Sequence, residues 1–202
     1  MCPVTPRLAI VPLATPAFDA AVAAIRGIRL RPELQWQEAP APTRVAPYSL
    51  AITADVVVGD EELATGRLVL LHDPAGHDAW QGTFRLVAYA RADMDAEMVG
   101  DPLLGGVAWE WLTEALSGRA ALYRAASGTV TRVFSEPFGG MAEDPARAEL
   151  EIRASWTPET TGSAGSVDIT PHVQAWGDLL AVSAGLPSLP SGVAQLHRGA
   201  RR

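Results

Sequence analysis

The feature that most constrains the fold of this chain is the alternation of apolar and polar residues over residues 148–156. Every second position is apolar and the positions between are polar: Leu150, Ile152, Ala154 and Trp156 against Glu149, Glu151, Arg153 and Ser155. Successive side chains of a β-strand point to opposite faces, so the pattern predicts a strand with one buried and one hydrated face. Strands of this kind belong to antiparallel sheets that are covered on one side.

Further segments have strand-like patterns and short connections. Residues 48–58 alternate with the same period, residues 67–72 and 83–91 flank a turn, and residues 129–135 form a second hairpin with 148–156. Residues 34–37 form either a short edge strand or the start of an extended linker through Pro40, Pro42 and Pro47. Proline removes a hydrogen-bond donor from a sheet, which favours the linker. Short connections between successive strands predict antiparallel pairing.

Three helices are predicted from one recurring start signal, a capping residue followed by proline. The signal occurs at Thr15-Pro16, Asp101-Pro102 and Thr170-Pro171. Proline suits the first helical position because an N–H there has no partner within the helix. In the second helix, the predicted buried stripe consists of Leu104, Val107, Ala108, Trp111 and Ala115.

These elements define the predicted fold class and domain organisation. The order α-β-β-β-α-β-β-α predicts an α+β fold with an antiparallel five- to six-stranded sheet and helices packed on one face. With 202 residues, 48% of them hydrophobic, the chain suits one domain. We predict a disordered arm at residues 1–15, a single α+β domain at 16–187 and a flexible tail at 188–202.

Composition excludes several functional classes. A net charge of −7 argues against binding to a nucleic-acid backbone, which requires a concentrated basic surface. The single cysteine, Cys2, cannot form a disulfide within the chain, so we expect a reducing, cytoplasmic environment. No apolar run reaches the roughly 18 residues that a membrane-spanning helix needs, so we expect no membrane association.

The candidate site is the connection between the second and third strands and the strand that follows it. Its polar and aromatic side chains are His72, Asp73, His77, Asp78, Trp80, Gln81 and Arg85. The two histidines could act as metal ligands, or one of them could act as a base oriented by a carboxylate, with Arg85 as an anion contact. The spacing matches no known metal motif. The alternative is structural, since Asp73 and Asp78 also suit turn caps and Gly76 suits a positive φ.

The chain contains six tryptophans, which is many for its length. Three of them fall on predicted buried faces: Trp111, Trp156 and Trp176. The remaining three are candidates for a partner surface, because an indole combines a large apolar ring with one N–H donor: Trp36, Trp80 and Trp109.

The chain resembles an uncharacterised actinobacterial family, the domain of unknown function 3000. The resemblance rests on GRLVLLHDPAGHDAWQGTFRLV at 66–87, LRPE at 30–33, DPLL at 101–104, SGTVTR at 127–132 and IRASWTP at 152–158. It implies a cytosolic protein and supplies no functional residues. Genes of that family lie near those of haem biosynthesis, which makes a porphyrin a candidate ligand. The predicted element order is also similar to the type III secretion chaperone-like fold, whose members are often small dimeric protein-binding domains.

The leading functional hypothesis is a non-enzymatic protein-interaction or chaperone-like domain. It would present a sheet face or an edge strand to a protein partner, or to a second copy as a homodimer. The alternative is a small-molecule-binding protein or enzyme with a His/Asp site at residues 72–85, for which a metal or porphyrin ligand stays open. We predict no catalytic residues, no metal ligands and no bound cofactor for the leading hypothesis.

Overall fold

A computed structural model of the protein describes residues 15–161 and 166–187. The tail predicted at 188–202, and the arm predicted at 1–15 except for Thr15, lie outside the described residues. The strands are β1 (Leu34–Ala39), β2 (Tyr48–Val58), β3 (Glu61–His77), β4 (Gly82–Asp93), β5 (Tyr123–Ser135), β6 (Arg147–Pro158), β7 (Thr160–Thr161) and β8 (Ser166–Val167). The helices are α1 (Pro16–Arg26), α2 (Ala96–Gly100), α3 (Leu104–Gly118) and α4 (Thr170–Ser183).

The six long strands form one antiparallel sheet in the order β1-β2-β3-β4-β6-β5. The α+β fold class and the antiparallel sheet are therefore confirmed, and residues 34–37 do belong to an edge strand. The other edge is β5. Strands β7 and β8 form a separate two-stranded ribbon.

The helices cover one face of the sheet. A Cβ at Gly66 of β3 would lie 2.6 Å from Leu180 of α4, and one at Gly128 of β5 would lie 2.6 Å from Trp109 of α3. The strand residues on this face are buried and apolar, as the alternation predicted; in β4 they are Phe84, Leu86, Ala88, Ala90 and Ala92. We call this the helix face and the opposite side the outer face.

The predicted capping interaction is observed at the start of α1, whereas α3 begins differently. Thr15 Oγ1 accepts a hydrogen bond from Phe18 N at 3.2 Å, which is the predicted cap. Asp101 instead accepts from Leu103 N two residues on, so it closes a turn and α3 begins at Leu104. The short helix α2 was not predicted, because five residues are too few to show a helical period.

The buried stripe of α3 is rotated relative to the prediction. Its buried residues follow a spacing of four: Leu104, Ala108, Leu112 and Leu116. Val107, predicted to be buried, is 41% exposed, and Trp111 is half-buried. The sequence pattern allowed either stripe, and contact with α4 and β5 selected the observed one.

The outer face is hydrated along β6 and is partly covered near β2 and β3. Glu149 and Glu151 point outward and pair with Arg91 and Arg153, as the alternation predicted. Near β2 and β3, a small apolar cluster of Ala51, Val69 and Leu71 is covered by residues 39–46 and by Trp80. The connection between β1 and β2 is held down by hydrogen bonds that Ser49 and Arg67 donate to the carbonyls of Pro42 and Pro40.

The tryptophans do not form an exposed surface. Trp156 and Trp176 are fully buried, and Trp36 and Trp109 pack against the main core. Trp80 packs on the outer-face cluster. Trp36, Trp80 and Trp109 are each only partly buried, so the prediction that they mark a partner surface stays a prediction.

None of the helices among the described residues is both long enough and apolar enough to span a membrane.

Candidate functional site

The structure separates the predicted site residues instead of gathering them. His72 ends the regular pairing of β3 with β4 and lies on the helix face, and pairing resumes only at the exposed His77 after a register shift. Arg85 lies on the outer face, one position from the buried Phe84. Side chains one residue apart in a strand point to opposite faces, so His72 and Arg85 cannot act on one ligand.

His72 is a buried core residue. Its Nδ1 lies 2.9 Å from the carbonyl oxygen of Thr83, and its Nε2 lies 2.9 Å from Thr15 Oγ1. The imidazole stacks on Phe84 with ring centroids 4.0 Å apart and also contacts Phe18 and Tyr48. Burial lowers the pKa of His72, the hydrogen bond to Thr83 partly opposing this. Both ring nitrogens are occupied, so His72 has no nitrogen free for a metal or a porphyrin.

The rest of the hairpin is a structured turn. Asp73 Oδ1 accepts from Ala75 N at 3.0 Å, and Gly76 has a φ of +79°. Asp78 opens a single 3₁₀ turn that ends at Gln81, which has a φ of 57°. Within this turn His77 stacks on Trp80 at 4.8 Å while remaining exposed. The geometry matches the structural interpretation for Asp73 and Gly76.

Arg85 is the predicted residue with the most distinctive surroundings. It is only 6% exposed, and its guanidinium makes five hydrogen bonds, all to neutral oxygens. Nη1 donates to Ala125 O at 2.8 Å and to Thr157 Oγ1 at 3.2 Å. Nη2 donates to Ser155 Oγ at 2.7 Å, to Ser155 O at 3.2 Å and to Ser127 Oγ at 3.2 Å. Among the ion pairs of the described residues, none involves Arg85.

Arg85 is buried without a carboxylate partner among the described residues, so a positive charge lies beneath the outer face. Desolvation lowers the pKa of Arg85, although an arginine keeps its proton at neutral pH. Transfer of a cation out of water is unfavourable unless an anion or several hydrogen bonds compensate it. Here the hydrogen bonds compensate the lost hydration, and no carboxylate in the described part of the chain pairs with the charge.

The edge strand β5 is bent to fit this guanidinium. Its pairing with β6 shifts register between Arg124 and Ser127, and Ala125 within the bulge has a φ of 50°. A left-handed conformation costs an alanine about 1–2 kcal/mol. The bulge directs the Ala125 carbonyl to Arg85 and brings Ser127 opposite Ser155, so packing around Arg85 compensates that strain.

A shallow depression of about 350 Å³ lies on the outer face beside Arg85. Its lining consists of Val87, Ser127, Gly128, Thr129, Arg153, Ala154 and Ser155. Ser127 and Ser155 belong both to this lining and to the hydrogen-bond shell of Arg85. The exposed Arg153 contributes a second guanidinium, which pairs with Glu151 at 2.8 Å and lies 5.3 Å from the Tyr89 ring.

Sequence reasoning identified Arg85 but not the residues around it. Ser155 and Thr157 occupy outward positions of the β6 alternation, and Ser127 lies in the SGTVTR segment. Those signals mark hydrated positions and carry no information on distance. Only the strand order, which places β6 between β4 and β5, brings them to Arg85.

No group of three or more histidine, cysteine or carboxylate side chains capable of holding a metal occurs within residues 15–161 and 166–187.

The β5 edge of the sheet is the second feature with functional potential. Within the described part of the chain, β5 pairs along one side only, with β6. Large apolar side chains are exposed in this strand and its flanking loops: Leu122, Phe134, Phe138 and Met141. Arg132 of β5 donates hydrogen bonds to the carbonyls of Val99 and Asp101, which places the loop that carries Met98 and Leu103 beside the strand. Met98 and Leu103 are exposed as well.

Fold and site together define an α+β protein with a six-stranded antiparallel sheet, helices on one face and, on the other, a buried arginine that forms no ion pair within residues 15–161 and 166–187. Residues 14–194 match the model of the family DUF3000, a protein of unknown function, and the chain belongs to that family. No curated protein and no solved structure matches the chain. The resemblance to the domain of unknown function 3000 is confirmed, whereas the similarity to the secretion chaperone-like fold stays a prediction.

Proposed function

We propose that this protein is a non-enzymatic, cytoplasmic interaction domain that binds an extended acidic segment of a partner protein along β5. The observation that carries the proposal is the 13-residue edge strand and the exposed apolar side chains that border it. An open edge offers a row of backbone N–H and C=O groups to an added strand. Binding of an extended segment is also the mode expected of a chaperone-like domain.

The apolar border supports a protein partner. Phe138 is 77% exposed and Met141 is 61% exposed, although large apolar residues are normally the most buried. Both follow β5 directly, where a partner strand running along the edge would reach them. Contiguous exposed apolar residues beside polar backbone are characteristic of protein-binding surfaces.

The charge of the edge supports an acidic occupant. Strand β5 contains Arg124 and Arg132 and no carboxylate, whereas the whole chain has a net charge of −7. Opposite charges on adjacent strands stabilise pairing, and like charges destabilise it. A second copy paired through β5 would add two more arginines and no carboxylate from its own β5, so the charge disfavours the homodimer as occupant.

The His/Asp alternative receives no comparable support. His72 is committed to core hydrogen bonds, and His77 is exposed on a turn. The interaction domain is therefore the function that the geometry supports best.

The experiment is selection of binding peptides from a random library displayed on phage, followed by mapping of their contacts on ¹⁵N-labelled protein by NMR. We expect acidic, extended peptides that perturb the amides of β5. Phe134→Asp should weaken binding about tenfold or more, because it removes an apolar contact and adds a repelling carboxylate. Val58→Asp, at a similarly exposed valine in β2, is the matched control and should bind as wild type does.

Two results would contradict the proposal. Enriched peptides that perturb other surfaces and leave β5 unaffected would remove the edge as the binding surface. A dimer in light scattering that Phe134→Asp dissociates would assign the edge to a second copy instead of an acidic partner.

A further inference from the structure

The depression beside Arg85 has the chemistry of an anion-binding site on the outer face, and its lining combines side chains of β4, β5 and β6. The guanidinium of Arg85 lies beneath Ser127 and Ser155, with its charge unpaired among the residues that the structure describes. Both hydroxyls are also part of the lining of the depression. They therefore separate a buried cation from an open concavity.

The direction of the hydrogen bonds determines what the hydroxyls can do. Each serine Oγ accepts an N–H from Arg85 Nη2, at 3.2 Å for Ser127 and 2.7 Å for Ser155. A hydroxyl that accepts from a cation still has its own proton to donate, and the cation polarises that proton. The two oxygens lie 3.4 Å apart, so at most one of these protons bonds across to the other serine. At least one polarised O–H remains to be donated into the depression.

The charges around the depression favour an anion. Arg153 lines its rim, and Glu151 pairs with that arginine and accepts from Tyr89, so these two charges largely balance. Arg85 then supplies the uncompensated positive charge. Hydroxyl and guanidinium donors around an otherwise hydrated concavity are the groups that bind oxyanions in proteins.

We propose that Ser127, Ser155 and Arg153, with Arg85 beneath them, bind the oxyanion of a small acidic molecule, a carboxylate or a phosphate. Ser127 and Ser155 donate O–H bonds to the anion, Arg153 supplies a charged contact from the rim, and Arg85 polarises both hydroxyls. The left-handed conformation of Ala125 in the bulge is unfavourable, but the bulge brings Ser127 within hydrogen-bonding distance of Arg85. This inference does not rest on the proposed function, because its ligand is a free anion and not a partner strand.

The experiment is an NMR titration of the full-length ¹⁵N-labelled protein with sodium phosphate and, separately, sodium acetate. Sodium chloride at the same ionic strength is the reference. We expect saturable shifts of the amides of Ser127, Gly128, Thr129 and Ser155 with at least one oxyanion and none with chloride. Saturation by phosphate only would identify a phosphorylated ligand, and saturation by acetate only would identify a carboxylic acid.

Surface variants separate the site from general electrostatics. Ser127→Ala and Ser155→Ala should each weaken oxyanion binding about tenfold, because each removes a donor to a charged ligand. Thr131→Ala is the matched control, since Thr131 is exposed on the same strand and does not line the depression. Ser127 is exposed, so its variant keeps the fold even if Ser155→Ala lowers stability. Equal responses to chloride and both oxyanions, or wild-type affinity in Ser127→Ala, would overturn the proposal.

Discussion

The indole Nε1 of Trp156 donates a hydrogen bond to Nδ1 of His172 across 3.1 Å, and both side chains are buried. Trp156 lies on the helix face of β6 and His172 in the first turn of α4, so the bond joins the sheet to the helix layer. A histidine that accepts through Nδ1 must be neutral, because a protonated ring has no acceptor nitrogen. Burial lowers the pKa of His172 to about 4, with nearby Asp168 partly opposing the shift.

Protonation of His172 is therefore expected to destabilise the protein in mild acid. Its folded pKa of about 4 lies below the ordinary value of 6.5, so between these pH values only the unfolded chain binds the proton. The contribution of the neutral ring is fully present above pH 6.5 and lost as the pH falls towards 4. The free energy of unfolding should decrease by on the order of 3 kcal/mol over this range. Urea denaturation at several pH values between 7 and 4 measures it.

A variant isolates the contribution of His172 from that of His72, whose pKa is lowered in the same direction. In His172→Asn, the amide oxygen can accept from Trp156 without titrating. This variant should show a smaller loss of stability between pH 6.5 and 5. An unchanged slope would show that His172 does not govern the acid sensitivity.

The two histidines of the predicted site should respond differently to the same substitution. His72→Ala removes a buried ring and leaves Thr83 O and Thr15 Oγ1 without their partner, so it should cost about 2–4 kcal/mol of unfolding free energy. His77→Ala removes an exposed ring and should change it by about 0.5 kcal/mol or less. Urea midpoints at pH 7.5 compare the two. Equal effects would contradict the placement of His72 in the core.

Arg85 should be far more important for stability than Arg153, although both lie on the outer face. Arg85→Met removes the five hydrogen bonds that the buried guanidinium donates, among them those to Ala125 O and Ser155 O, so we expect a loss of about 2–3 kcal/mol. Arg153→Met removes an exposed ion pair and should leave the midpoint nearly unchanged. Thermal and urea unfolding measure both. A stable Arg85→Met protein would show that the hydrogen bonds around the guanidinium contribute little.

Two glycines provide a test of packing between α3 and the sheet. In Gly128→Ala, the added Cβ would lie 2.3 Å from the carbonyl oxygen of Arg153 and 2.6 Å from Trp109, so the variant should lose about 2 kcal/mol or more. In Gly106→Ala, the added Cβ meets no atom within 4 Å, and the helix should gain about 0.5–1 kcal/mol. The difference in melting temperature between the variants measures the contact. Similar melting temperatures would contradict the close packing of Gly128 against both Arg153 O and Trp109.

Local alternation was sufficient to predict most of the sheet. In β6, Leu150 and Ile152 are buried and Glu149 and Glu151 point outward, because a strand has only two faces and the apolar one must be covered. Pattern was insufficient in α3, where Val107 and Leu112 were equally compatible with a buried stripe. The choice between them depended on which helix and strand packed against α3.

The candidate site also depended on contacts that the local sequence pattern did not predict. His72 and His77 are five residues apart and looked like one cluster, yet they occupy the helix face and an exposed turn. Arg85 was identified as an anion contact, but its partners Ser127, Ser155 and Thr157 are 42, 70 and 72 residues away in the chain. Spacing along the chain cannot reveal a contact that depends on strand order and on a bulge.

The sequence by itself determined the faces of each strand, the antiparallel pairing and the family, because these follow from residue order over short distances. Tertiary structure alone decided which strands became neighbours, which strands form the edges of the sheet and where the Arg85 guanidinium lies. Those features arise when β6 inserts between β4 and β5 and β5 bends at Ala125. These features are stabilised by contacts between segments that are distant in the chain, and a local sequence pattern does not predict such contacts.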